Sequence, residues 1–201
     1  MGRPREHDEH TREALRAAAE RLFDERGAAG VTVRALADAV GTTTRAVYSL
    51  FGSRDGLLID ALSQRAYELL ERGLDDQLET DDPARDVVEA GVGIFRPFVR
   101  EHPALFRIAF QRVLPSFEPG PELVAARASA FRRLCLKVGR APLGGKPPEV
   151  AALEFQALCE GLGNFELRGN TLRLLPDGAE DATWRGAFVS LVAGWRVGAD
   201  G

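Results

Sequence analysis

Cysteine, histidine and lysine are all scarce in this 201-residue chain, and each scarcity excludes something. The two cysteines, Cys135 and Cys159, sit in apolar segments with helical spacing and form no CxxC pair. They read as small buried hydrophobes in a reducing compartment, not as a disulfide or a thiolate metal site. Of the three histidines, His7 and His10 lie in a polar tail and His102 precedes a proline. No Ser/His/Asp or Cys/His arrangement for nucleophilic catalysis is suggested, and the tail histidines read as a solvated pair, not a metal site. Gly144-Gly145-Lys146 lacks the upstream glycine and the following Ser/Thr of a phosphate loop. The expectation is therefore no enzyme, no cofactor and no metal. Lysine accounts for only two of the 26 basic residues, Lys137 and Lys146. With abundant Ala and Gly, that skew points to a high-GC coding sequence and a bacterial source.

Long apolar runs are also missing: none approaches the roughly 18–20 residues needed to span a bilayer. The opening MGRPREHDEH is polar and without an apolar core, so no secretory signal is expected. A cytoplasmic protein with no membrane partner is predicted. Its 45% hydrophobic and 28% charged residues suit a soluble globular chain of one large domain or two small ones.

The net charge of −4 argues against a uniformly basic nucleic-acid binder, but its distribution is uneven. Between Arg26 and Arg54 four arginines (26, 34, 45 and 54) face one acid, Asp38, a local +3. The rest of the chain therefore carries −7, the difference between −4 and +3. A basic island on an acidic protein is what an element docking on phosphates needs.

Apolar periodicity is helical almost throughout, and strand alternation is absent. The first helix is predicted from about Thr11 to Arg26, with Leu15, Ala18, Ala19, Leu22 and Phe23 on one face and Gly27 as its stop. Thr32 caps a short helix to Val40, ended by Gly41; Thr43 caps a second, Thr44 to about Phe51; Ser53 caps a long one to about Glu79. Further helices are expected from Pro83 to Glu101, Pro103 to Val113, Glu122 to Gly139, Glu149 to Arg168 and Ala182 to Val197. The fold class is all-α, with about nine helices. A head over residues 1–60 and a body over 61–201 are predicted.

The decisive stretch is TVRALADAVGTTTRAVYSLFGSRDGLL, residues 32–58. Two short capped helices joined at Gly41 make a helix-turn-helix. Val33, Leu36, Ala37, Val40, Val47, Tyr48 and Phe51 can pack the pair together. Thr42, Thr43, Thr44, Arg45, Ala46 and Ser49 then lie on or near an outward face, where hydroxyls and an arginine suit phosphates and base edges in a major groove.

With these residues and the helix before them, the chain resembles the TetR family of bacterial regulators. The likeness runs from ALRAAAERLFDERG through GVTVRALADAVG to AVYSLFGSRDGLL. Gly41, Thr43, Val47, Tyr48, Phe51, Ser53, Arg54, Asp55 and Leu57 fall on the family's positions, while Leu50 stands where the family commonly has histidine. The resemblance implies double-stranded DNA as partner, with Tyr48 and Arg54 on phosphates and Thr32 and Thr43 anchoring the backbone. It leaves Thr42, Thr44, Arg45 and Ser49 as base readers. It also implies a homodimer on a palindromic operator and a transcriptional regulator, a repressor relieved by a small hydrophobic or amphipathic effector. PALFRIAF (103–110) and FQALCEGLGNFELRG (155–169) are similar to bodies with a Trp-His-Gly signature, although Phe155 and Glu160 replace its first two residues.

Nine of the eleven phenylalanines lie beyond residue 90, and Gly91, Gly93, Gly161 and Gly163 remove volume among them. That leaves either closer helix packing or an effector cavity. For a cavity the wall residues are Phe95, Phe98, Phe110, Phe131, Cys135 and Phe155, with Arg96, Arg100, Gln111 and Glu160 as polar contacts. The last two helices are the expected dimer interface, through Leu153, Ala157, Gly161 and Asn164 on one and Trp184, Phe188, Leu191 and Trp195 on the other; packing within one chain is the alternative. A body that binds another protein, or only dimerises, is the competing functional reading.

Overall fold

The computed structural model describes residues 4–53, 56, 61–111, 119–169, 176 and 178–197, with the backbone alone at 4–8, 28 and 197. The described residues are helical with no strand, as expected. They fall into two compact units, residues 1–67 with 102–126 and residues 68–101 with 127–201. The expected head boundary after residue 60 falls inside the first unit.

The first unit contains α1 (Pro4–Gly30), α2 (Val33–Val40), α3 (Thr44–Phe51), the start of α4 (Leu62–Asp76) and α7 (Pro103–Phe110). Gly27 breaks the helical geometry of α1 with a positive φ of 66°, where the stop was predicted. The apolar face of α1 is the expected one: Leu15, Ala18, Ala19, Leu22 and Phe23 are all buried. α7 packs on α1, and Leu105, Phe106 and Ile108 are buried. Polar contacts accompany this core: Nδ1 of His102 lies 2.7 Å from Glu20, and Arg65 pairs with Glu13 and Glu20. The Tyr67 hydroxyl donates to the Ala109 carbonyl, with its ring edge-on to Phe110.

In the second unit α5 (Pro83–Glu89) continues through a π-helical stretch, Ala90–Phe95, into α6 (Arg96–Glu101). α8 (Pro121–Val138), whose residues from Arg127 on belong to this unit, α9 (Pro148–Arg168) and α10 (Ala179–Val197) follow. Counting α5, the π stretch and α6 as one run gives nine helices among the described residues. The core forms around α10: Phe188 lies 5.0 Å from Phe155 and 6.1 Å from Trp184, centroid to centroid. Gly91 allows that approach, since a Cβ there would stand 2.4 Å from the Phe188 ring. At Gly91 the missing volume is spent on closer packing.

Two polar hubs complete this unit. Asp86 is buried and accepts hydrogen bonds from the Thr80 hydroxyl (2.7 Å) and N–H (2.9 Å) and from Arg140 (3.2 Å). Burial alone would push its carboxyl upward; the Thr80 bonds, then Arg140 and Lys137, outweigh that and hold it below its ordinary value. Arg96, also buried, pairs with Glu166 (3.1 Å) and Asp181, its guanidinium over the Trp184 ring.

Two outcomes are expected. Gly91→Ala should destabilise by about 1–3 kcal/mol through overpacking, whereas Gly93→Ala, with nothing within 4 Å of the new Cβ, should be neutral or stabilise by up to ~1 kcal/mol. Denaturant titration of the two variants checks this, and equal stabilities would refute the packing account. A carboxylate with a lowered folded-state pKa stabilises above its unfolded pKa and ceases to do so as pH falls through the folded one. Asp86→Asn should therefore lower stability at neutral pH and flatten the loss of stability on acidification, measured by thermal unfolding across pH.

Candidate nucleic-acid interface

Residues 32–52 assemble a helix-turn-helix from local signals. Before α2, Thr32 is extended and its Oγ1 accepts from the Ala35 N–H at 3.1 Å. Before α3, Thr43 does the same for Ala46, also at 3.1 Å. Each hydroxyl so used still has its own proton to donate. Between them Gly41 takes a left-handed φ of 70°, and the N–H groups of Gly41 and Thr42 both turn back to the Ala37 carbonyl. A side chain other than glycine would be strained there. Gly52, with φ 68°, closes α3 by donating to the Tyr48 carbonyl at 2.8 Å.

Leu36, Ala37 and Val47 are buried, and Val47 alone of α3 reaches that class. Val33, Val40 and Phe51 are half-buried, the Phe51 ring lying under the Arg12 guanidinium at 5.2 Å. Tyr48 departs from the expected packing set: it is 54% exposed and points outward from the pair. Thr32, Thr43, Thr44, Arg45 and Ser49 are exposed as well, and Thr42, Ala46 and Leu50 are half-buried. The outward face therefore carries hydroxyls, one guanidinium and one phenol. Arg34 meets Asp38 at 4.0 Å, largely in solvent, where such a pair holds little. Ser53 accepts from the Gly56 N–H at 2.9 Å, the cap geometry expected of it. Arg54 lies outside the described residues.

The residues expected to line an effector cavity are distributed differently. Phe155 is buried with its ring against that of Phe188. The Arg96 guanidinium meets Glu166, Asp181 and the Trp184 ring. Phe95 and Phe98 are buried and edge-on to each other, and Phe131 and Cys135 are half-buried. Phe110, with Tyr67 and Phe106 as ring neighbours, belongs to the first unit. Glu160 accepts from the Gln156 amide at 2.8 Å, and its backbone carbonyl from Asn164. Arg100 is exposed and Gln111 half-buried.

The tryptophan face is also corrected. Trp184, Phe188 and Trp195 are buried within the chain, so they cannot be the surface of α10 that meets a partner. Trp195 donates its Nε1–H to Glu154, which also binds Lys146, both at 2.6 Å. Leu191 is half-buried. What α10 leaves outside includes Gly186, Ser190 and Gly194, small residues at a spacing of four that sequence reasoning passed over for the larger rings. On α9 the expected residues do lie outward: Leu153, Ala157 and Gly161 are exposed and Asn164 is half-buried. Val150 and Phe165, not expected, are exposed beside them.

Residues 15–61 match the family model described as bacterial regulatory proteins, tetR family. No curated protein matches the chain. Among solved structures, a protein of unknown function from a Rhodococcus species shares 22% identity over 92% of this chain and 95% of its own, with a TM-score of 0.77. FadR of Bacillus subtilis, a transcriptional regulator solved with stearoyl-CoA, shares 14% over 90% and 98%, with a TM-score of 0.71. The TetR family transcriptional regulator PfmR of Thermus thermophilus shares 21% over 89% and 97%, with a TM-score of 0.63. Residues 15–61, which hold the capped helical pair, thus carry the segment that marks the tetR family of bacterial regulatory proteins, and nearly the whole chain shares the fold of the solved regulators.

Proposed function

We propose that the protein is a cytoplasmic homodimeric repressor that binds a palindromic operator through α3 and releases it when a small hydrophobic or amphipathic molecule enters its helical body. The observation that carries the reading is the side-chain division of α3: Val47 inward, and Thr44, Arg45, Tyr48 and Ser49 outward. Thr42, Thr44, Arg45 and Ser49 read base edges, the arginine suiting the paired acceptors of guanine. Tyr48, Arg54 and the cap hydroxyls of Thr32 and Thr43 hold phosphates, which position the helix without reading sequence.

The dimer forms through the outward row of α9, Leu153, Ala157, Gly161 and Asn164, beside the small-residue row of α10. α9 and α10 pack together, and an apolar row interrupted by small residues lets a second pair of helices approach closely. Two α3 helices then address major grooves about 34 Å apart, one helical turn. The stearoyl-CoA held by FadR supports a ligand-binding body on this fold. α4 runs from the first unit into the second after Tyr67. A ligand that shifts it against the head would weaken operator binding some 5–150-fold for a coupling of about 1–3 kcal/mol.

Selection of bound sequences from random duplexes should return a two-fold symmetric site. An unsymmetric consensus, or none, would remove the reading. Arg45→Ala should relax base preference at one position per half-site, while Tyr48→Phe weakens all duplexes alike and leaves the salt slope unchanged, because a neutral phenol releases no counterion. These effects are read from competition binding at several ionic strengths. Gly161→Arg should convert the dimer to monomer in sedimentation and cost most of the operator affinity; a variant that stays dimeric displaces the interface from α9.

A further inference from the structure

We propose that the groove between α5 and α10 is a second small-molecule site, selective for an amphipathic organic anion: an apolar body ending in a carboxylate or phosphate. This goes beyond the regulator reading, and the residues form no part of the expected effector cavity. The groove encloses about 420 Å³, inside the range of about 300–1,000 Å³ typical of ligand sites. Its floor is apolar: Val88 and Val192 are buried beneath it, and Val189 stands beside them 52% exposed. A valine left half in water at the mouth of an apolar floor is surface that an apolar body would cover.

Its rim is cationic. Arg85, Arg185 and Arg196 all border it. Arg185 is oriented by Glu89, to which NH1 and NH2 donate at 2.6 and 3.2 Å, so that pair is neutral and fixed. Asp82, also on the rim, uses Oδ1 to cap α5 at the Arg85 N–H. The guanidinium groups of Arg85 and Arg196 form no ion pair among the described residues. Three guanidinium groups against two carboxylates leave one positive charge over an apolar floor, which complements a single anionic head on an apolar tail. Arginine's planar fork matches carboxylate and phosphate oxygens alike, so the head is defined by charge and geometry.

The test is calorimetric titration of the full-length protein with octanoate, octyl phosphate, octanol and acetate. One or both octyl anions should bind, and which is tighter identifies the head. Octanol and acetate should bind at least tenfold more weakly, lacking charge and tail respectively. The Arg85→Ala/Arg196→Ala double variant should lose tenfold or more for the octyl anions. Val189→Glu, a change on an exposed side chain that places a carboxylate in the groove, should do the same. Octanol binding as tightly as octanoate, absence of binding by both anions, or unchanged affinity in both variants would each overturn the proposal. Operator binding plays no part in the assay, so its outcome is separate from that of the regulator reading.

Discussion

The outward face of α3 rests on the burial of one side chain, Val47. An eight-residue helix is below the length of about 12–15 residues at which helices persist alone, so α3 exists through what anchors it. Val47 supplies the inward contact, the Thr43 hydroxyl satisfies an N-terminal donor, and Gly52 closes the far end. With Val47 inside and Ala46, Leu50 and Phe51 half-buried, the rest of the circumference is left to Thr44, Arg45, Tyr48 and Ser49. Larger inward residues would hold the helix more firmly and leave fewer positions to read a groove.

The second unit solves the opposite problem. Two tryptophans and Phe188 on one side of α10 cannot be left in water without cost, and they turn inward together. Gly91 makes room for the Phe188 ring, and Glu154 satisfies the Trp195 indole N–H. Because the large aromatic rings are committed to the interior, one outer row of α10 is left with Gly186, Ser190 and Gly194, with the charged Arg185 and Arg196 to one side of it. The smallness of that row is the consequence of the bulk within.

Much of this was legible in the sequence because the signals are local. The threonine caps, the glycine stops, the prolines at first helical positions and the α1 face are each fixed by residues within one or two turns of each other. The direction of α10 was not legible, since an amphipathic pattern tells which residues share a face but not whether that face meets the same chain or another. Tyr48 illustrates the same limit: its spacing fits the packed row, yet Val47 fills the available interior. The contacts of Phe155 and Arg96 had no local signal, because their partners, Phe188, Glu166 and Asp181, are distant in sequence. The π stretch at Ala90–Phe95 has a composition that an ordinary helix would also accept. Arg54, the phosphate contact expected at the start of the fourth helix, lies outside the described residues, so its role stands on the resemblance and on the cap at Ser53.

The first unit takes in α7, more than thirty residues downstream of the start of α4, because α7 packs on α1 and His102 meets Glu20. The helix-turn-helix is therefore not a detachable N-terminal cassette. Exchanging heads between relatives by cutting near residue 60 would strand the apolar side of α1 against a foreign helix. A functional chimera has to carry residues 102–110 along with the piece it means to transplant, and evolution exchanging specificities by recombination faces the same seam.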